Sequence, residues 1–142
     1  MSNNKPNLLK GKEHLLVESI DHLVLTVSSI EDSVDFYIRV LGMEAIEYGE
    51  GRTALKFGRS KINLHGPDDQ IFPRAHIPTP GSADVCLITR LAIQQVVEHL
   101  EQQGADIEIG PDTRTGAMGP ITSVYIRDPD QNLIEISSYE QK

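Results

Sequence analysis

The sequence is poor in cysteine, aromatic side chains and basic residues, and it contains no long apolar run. One cysteine among 142 residues, Cys86, excludes an intrachain disulfide and favours a reducing compartment. The formal net charge of −8 argues against nucleic acid and anionic membrane surfaces. No stretch approaches the roughly 20 apolar residues of a membrane-spanning helix. Aromatic residues make up 5% of the chain, which leaves few to build a pocket for an aromatic ring.

The length and composition of the chain predict a cytoplasmic protein with one globular domain. A chain of 142 residues is long enough to bury a hydrophobic core. Residues 1–18 are interpreted as an N-terminal arm, because they contain two short apolar pairs but no stretch long enough for a signal peptide. The domain is predicted to span residues 19–138, and residues 139–142 to form a C-terminal tail.

The predicted domain contains an internal sequence repeat. A shift of 62 residues superimposes Leu23 on Val85 and Gly42 on Gly104 without a gap. Because a strand, a helix and the glycine that ends the helix all match, the sequence predicts two copies of one module. The predicted parts are module 1 at about 19–66, a proline-rich linker at 67–82 and module 2 at about 83–138.

Each module is predicted to contain one strand, one helix and three further strands. The SSIED segment at 28–32 offers two overlapping helix starts of capping-box spacing. Apolar residues then recur at helical spacing until Gly42, which ends the helix. The GPDTRTGAMG segment at 110–119 is predicted to be an extra loop without a counterpart in module 1. The predicted strands lie near 20–27, 43–48, 52–57, 61–65, 83–88, 106–109, 121–127 and 132–137, and the second helix at 91–103.

Polar side chains share one face of four predicted strands, because successive residues of a strand point to opposite sides. Taken singly, each histidine is explained as a core residue and each carboxylate as a side chain that faces solvent. Together, imidazoles and carboxylates on one face would repel one another or lie unpaired unless water or a cation neutralised them. A divalent metal is the economical solution. The residues are His22, Thr26, Asn63, His65, Asp84, Cys86, Glu135 and Ser137.

Three segments resemble the vicinal oxygen chelate superfamily: DHLVLTV, the helix DSVDFYIRVLGME and the closing DPDQNLIEI. The resemblance covers residues 19–138. KINLH, DVCLIT and RTGAMGP are similar in particular to small glyoxalase-domain proteins regarded as lactoylglutathione lyases. The resemblance implies the α+β glyoxalase/bleomycin-resistance/dioxygenase fold. In that fold, two tandem βαβββ modules form a curved, incompletely closed mixed sheet around a concave site, with the helices outside.

The resemblance also implies a divalent metal, and the sequence does not distinguish nickel, zinc, manganese, iron and cobalt. Its ligands would be His22 in the first strand, His65 in the fourth and Glu135 in the last. Aligning INL with IEI makes Asn63 the repeat equivalent of Glu135, but we favour His65 because imidazole is the better ligand. Asp84 stands where many members carry histidine. It binds the metal, acts as a base beside it or marks the loss of one ligand.

The implied reaction is that of a metal-dependent lactoylglutathione lyase in a homodimer. Its small-molecule substrate would be the hemithioacetal of methylglyoxal and a thiol such as glutathione. The metal would stabilise the enediolate as a Lewis acid, and Glu135 or Asp84 would transfer the proton. Arg114 would bind a substrate carboxylate, and Met118 and Tyr125 would line the pocket.

Three other functions stay open. An extradiol dioxygenase would use two histidines and one carboxylate on iron, but the chain has few aromatic residues for its substrate. A fosfomycin-type thiol transferase fits the length, although we find no match to its phosphonate-binding residues. A metal-free binding protein of the bleomycin-resistance type would lack His22 and Glu135. Cys86 is interpreted as a packed residue and not a nucleophile, because the sequence offers it no histidine partner.

Overall fold

The computed structural model describes residues 15–139. Most of the predicted arm, including the Leu8–Leu9 pair, and residues 140–142 of the predicted tail lie outside this range. Both modules have the predicted order of strand, helix and three strands. Module 1 comprises β1 His22–Thr26, α1 Ile30–Arg39, β2 Glu44–Tyr48, β3 Arg52–Phe57 and β4 Ser60–His65. Module 2 comprises β5 Asp84–Ile88, α2 Ile93–Gln102, β6 Ile109–Gly116, β7 Gly119–Arg127 and β8 Leu133–Tyr139.

The strands form two separate four-stranded sheets. Sheet 1 has the order β1-β4-β3-β2 and sheet 2 the equivalent order β5-β8-β7-β6. In each sheet the first and last strands of the module pair in parallel, and the other neighbours are antiparallel. The predicted α+β class and the duplicated module are therefore confirmed. The strands are divided between two mixed sheets, which is consistent with the predicted incompletely closed arrangement.

The ends of both helices follow from local chemistry. Of the two predicted starts, α1 uses the second, in which Ser29 Oγ accepts a hydrogen bond from Asp32 N at 3.1 Å. The chain then reverses at Gly42, whose φ is +70°. Gly104 repeats this conformation after α2 with φ +71°. Glycine adopts positive φ without steric cost, so the two matched glycines mark equivalent helix ends.

One hydrophobic core draws on both modules. It consists of the apolar side of each helix and the strand residues beneath it. Tyr37 and Leu55 of module 1 belong to the same buried cluster as Leu100 and Ile134 of module 2. The two modules therefore contact each other through their helix-bearing faces. The opposite face of each sheet, here called its polar face, carries the side chains that the sequence singled out.

The segment predicted as an extra loop is part of a hairpin. Strand β6 runs to Gly116, β7 starts at Gly119, and Arg114 pairs with Ile121 between them. The prediction of a loop at 110–119 was wrong because most of this strand is exposed. Without a buried face, the sequence carries no apolar alternation that would indicate a strand.

A buried carboxylate joins the modules. Asp128 begins the DPDQN turn before β8 and is 2% exposed. Its Oδ2 accepts hydrogen bonds from Tyr37 Oη at 2.6 Å and from Asn132 Nδ2 at 2.8 Å. Its Oδ1 accepts from the backbone N–H groups of Asp130 and Asn132, both at 2.9 Å. The Asp130 carboxylate in turn accepts from Ser28 N of module 1 at 3.2 Å. The turn therefore anchors module 2 on α1.

We expect Tyr37→Phe to destabilise the fold by about 1–3 kcal/mol, because it leaves part of a buried carboxylate without its donor. Burial, reinforced by Asp128, raises the pKa of the Tyr37 hydroxyl far above its ordinary value. The unfolded chain therefore loses this proton above about pH 10 while the folded chain keeps it, and wild-type stability falls with rising pH. In urea unfolding, wild type should have the higher free energy of unfolding at neutral pH. Its difference from the Tyr37→Phe variant should decrease between about pH 9 and about pH 11.

Tyr48→Phe is the matched control, because the Tyr48 side chain is only partly buried and its hydroxyl forms no hydrogen bond with the described residues. It should change stability little at any pH. A Tyr37→Phe protein as stable as wild type at neutral pH would show that the Asp128 hydrogen bond does not hold the modules together.

Candidate functional site

The strand register identifies the equivalent positions of the two polar faces. In sheet 1, Asn63 lies opposite Val24, and in sheet 2, Glu135 lies opposite Cys86. The 62-residue shift superimposes Val24 on Cys86, so Asn63 and Glu135 are structural equivalents. His22 and Asp84 are equivalent in the same way, each at the first residue of its strand. Each polar face thus has one matched pair: His22 with Asn63, and Asp84 with Glu135.

His65 does not lie beside His22. It pairs with Thr26, four residues further along β1, which places it roughly 13 Å from His22 along the strand direction. Ligand atoms of one metal ion lie within about 5 Å of each other, because each bond is about 2.0–2.6 Å long. Within one chain the structure does not bring these histidines together. Asn63, which the sequence ranked second, occupies the position near His22 in place of His65.

Asn63 carries an unsatisfied polar atom. The side chain is 7% exposed, and its Oδ1 has no hydrogen-bond partner among residues 15–139. A buried carbonyl oxygen without a partner costs about 1–3 kcal/mol. Natural structures rarely leave such a group unpaired unless an ion, water or ligand completes it. The Asn63 oxygen is therefore an acceptor on the polar face to which no described residue donates.

His22 is oriented by a neighbour that the sequence analysis missed. Its Nδ1 lies 2.8 Å from Asp21 Oδ2, and this hydrogen bond lowers the pKa of the Asp21 carboxyl below its ordinary value. A carboxylate that accepts from Nδ1 leaves Nε2 for a ligand and fixes the ring, as in many metal sites. The adjacent aspartate was visible in the sequence, but only coordinates show that it contacts the ring.

Hydroxyl and thiol groups surround Glu135 on sheet 2. Ser137 Oγ donates to Glu135 Oε2 at 3.4 Å and lies 3.2 Å from Cys86 Sγ. Ser123 Oγ lies 2.6 Å from the same serine oxygen. Partial burial raises the pKa of the Cys86 thiol, and the Glu135 and Asp84 carboxylates raise it further, against an opposing hydrogen bond from Ser137. The thiol is therefore protonated at neutral pH.

Arg114 lies on the same sheet and is held in place. Its Nε donates to Tyr125 Oη at 3.0 Å, its Cζ lies 5.3 Å from the Tyr125 ring centroid, and its Nη2 lies 3.4 Å from Asp112 Oδ2. Tyr125 is the cross-strand partner of Glu135. Arg114 and Tyr125 thus lie next to the candidate site. Met118 is 85% exposed at the hairpin tip, so within one chain it lines no pocket with these residues.

The matched pairs occupy different sheets of one chain. Among residues 15–139, no three histidine, cysteine, aspartate or glutamate side chains come close enough to hold a metal ion. A histidine and an amide on one sheet, and two carboxylates on the other, are each an incomplete ligand set. In the same part of the chain, no helix is long and apolar enough to cross a membrane.

Such a duplicated βαβββ chain with paired polar faces defines a glyoxalase-type protein. The family model of the Glyoxalase/Bleomycin resistance protein/Dioxygenase superfamily matches residues 19–136, and the chain belongs to this superfamily. The resemblance inferred from sequence is confirmed.

Two relatives are about half identical to this chain. The glyoxalase domain-containing protein RDO1 of Mycosarcoma maydis is 47% identical over 92% of this chain and 74% of its own length. Virulence protein STM3117 of Salmonella typhimurium is 52% identical over 92% of this chain and 94% of its own length. The crystal structure of STM3117 covers 89% of this chain and 100% of its own, with a TM-score of 0.87. Metallothiol transferase FosB of Shouchella clausii is more distant, with 26% identity over 85% of this chain and 80% of its own length.

We expect the Cys86 thiol to react with iodoacetamide more slowly at about pH 8 than an unperturbed cysteine thiol, because its raised pKa keeps it protonated. Glu135→Gln removes a nearby negative charge, so alkylation should become faster. The measurement is the mass increase over time at several pH values, and it is unambiguous because the chain has one cysteine.

Glu98→Gln on the exposed side of α2 is the matched control and should leave the alkylation rate unchanged. Equal rates in wild type and Glu135→Gln would show that the Glu135 carboxylate does not act on the thiol.

Proposed function

We propose that this protein is a divalent-metal enzyme whose ligands are His22, Asn63, Asp84 and Glu135. The unpartnered, buried Oδ1 of Asn63 is the observation that carries the proposal, because a cation would satisfy it. The donor set fits such an ion. One imidazole, oriented through its Nδ1, and three side chains with oxygen donors suit nickel, zinc, manganese, iron or cobalt.

The ligand set is completed in a homodimer. The polar face of sheet 1 would meet the polar face of sheet 2 of the partner subunit, which brings His22 and Asn63 to Asp84 and Glu135 of the partner subunit. Val24 and Ile88, on these faces, are 45% and 55% exposed, as expected of apolar residues that a second copy covers. Sheet 1 also carries Lys56 and Lys61 on this face, and their charge complements the carboxylates.

The reaction that this arrangement supports best is the glyoxalase-type isomerisation of a thiol hemithioacetal of methylglyoxal. Glu135 accepts the C1 proton as general base and returns it to C2, because it is the carboxylate beside Tyr125 and Arg114. Arg114, whose Nε donates to Tyr125 Oη, would bind a substrate carboxylate. The bound cation supplies Lewis-acid polarisation of the substrate oxygens. The single cysteine and acidic composition support a reducing, cytoplasmic setting.

Thiol transfer is the second candidate, favoured by the likeness to a metallothiol transferase. It shares the metal and thiol substrate but needs an electrophile other than the aldehyde. A ring-cleaving dioxygenase is less well supported, because only one of the four matched positions is histidine. A facial triad requires two histidines and one carboxylate. A metal-free binding protein would contain no stoichiometric metal.

Elemental analysis of protein purified without chelators tests the ligand set. We expect about one divalent metal ion per subunit, most of it lost in His22→Ala, Asn63→Ala and Glu135→Ala because each removes a ligand. Asp21→Asn should weaken metal binding by about tenfold to hundredfold through the orientation of His22. His65→Ala is the matched control and should keep its metal.

Activity is measured as thioester formation from methylglyoxal and glutathione after loading with each candidate metal. We expect activity in wild type and His76→Ala, and a loss in Glu135→Ala. Metal that stays bound in both His22→Ala and Glu135→Ala would contradict the ligand assignment. Full metal content without thioester formation would contradict the lyase and leave thiol transfer.

A further inference from the structure

A small cavity lies where the linker passes the C-terminal ends of β1 and β4. Its volume is about 140 Å³, and linker residues close it against the strands. The strands contribute Thr26 and His65, and the linker contributes Arg74, Ile77 and Pro78. None of the proposed metal ligands lines this cavity. It is therefore a separate site on the same polar face.

His65 has no role in the proposed metal site and is almost fully buried. Its side chain is 8% exposed, and its ring forms no hydrogen bond with any residue between 15 and 139. Neither ring nitrogen is cut off from solvent. The ring can therefore form a hydrogen bond with a ligand that enters the cavity it lines.

Arg74 provides a positive charge at the same cavity. Its Nη1 donates to the backbone oxygen of Asp69 at 3.2 Å, and its Cζ lies 4.5 Å from the ring centroid of Phe72. The Asp69 carboxylate accepts from Gly66 N at 2.6 Å, and no carboxylate of the described chain forms an ion pair with Arg74. A guanidinium has five N–H donors, so donors remain for an anion.

We infer that this cavity binds the carboxylate end of a small organic molecule. Arg74 and His65 would contact the carboxylate, and Val24, Ile77 and Pro78 would contact a short carbon stem. A volume of about 140 Å³ admits a group of this size but no large ligand. The apolar lining favours a carboxylate with carbon attached over a bare inorganic anion.

The cavity lies close to one proposed metal ligand and further from another. Val24, which lines it, is the cross-strand partner of Asn63, and His65 follows Asn63 by two residues on β4. A substrate held at both places would carry its carboxylate roughly 7 Å from Asn63 and roughly 13 Å from His22 along the strand direction. This role rests on the proposed function. Binding of a carboxylate to the cavity does not require the metal.

The test is a titration of the chelator-treated full-length chain with butyrate, followed by NMR of the histidine ring Cε1–H signals. The His65 signal is the one missing from the spectrum of His65→Gln. We expect butyrate to shift this signal in a saturable manner, whereas neutral butyramide and inorganic phosphate shift it little. Arg74→Ala should weaken butyrate binding by at least about tenfold, as expected for loss of a hydrogen bond to a charged group. Arg74 is exposed, so this variant keeps its fold.

His76→Ala and Arg90→Ala are the matched controls, because both residues are exposed and neither lines the cavity. Both should bind butyrate as wild type does. An equal response to butyramide, or unchanged affinity in Arg74→Ala, would overturn the proposal. An equal response to phosphate would overturn the choice of an organic carboxylate. Because metal is absent from this experiment, its failure would leave the metal-binding tests unaffected.

Discussion

The parallel pairing of the first and last strands of each module is the constraint on which the rest of the structure depends. A parallel pair needs a crossover connection, and here that connection includes a helix that covers one face of the sheet. The apolar residues of the strands pack beneath the helix, so the residues between them must point the other way. His22 and Asn63, like Asp84 and Glu135, share a face because of this pairing.

The sequence predicts those parts of the fold that bury a periodic apolar face. Strand and helix order, the duplication and the helix ends at Gly42 and Gly104 all follow from such periodicity. The β6–β7 hairpin was missed because most of β6 is exposed. The pairing of strands within the two sheets does not follow from periodicity, since hydrophobic alternation specifies which face of a strand is buried but not which strand it pairs with.

For the candidate site as well, the sequence shows which residue types are present but not which of them lie close together in the fold. His22, Asp84 and Glu135 were predicted because their polar side chains interrupt apolar strands. The choice of His65 rested on the ligand strength of imidazole, and the register places it opposite Thr26, away from His22. The repeat alignment pointed to Asn63, and the strand register shows that Asn63 and Glu135 occupy equivalent positions. Nothing in the sequence could show that Asn63 Oδ1 is unpaired or that Asp21 contacts His22.

The contacts between the modules explain why the proposed metal site needs a second chain. Tyr37 donates to Asp128, Arg39 Nη1 donates to Gln103 O at 2.9 Å, and His99 Nε2 lies 2.8 Å from Val40 O. All three contacts use α1 or the segment that follows it, on the helix-bearing side of sheet 1. The interface within one chain therefore uses the faces opposite the ligands. A histidine–amide pair and a carboxylate pair on separate polar faces can share one cation when two copies meet. In the proposed site the dimer and the bound metal would form one requirement, because each sheet lacks the donors that the other would supply.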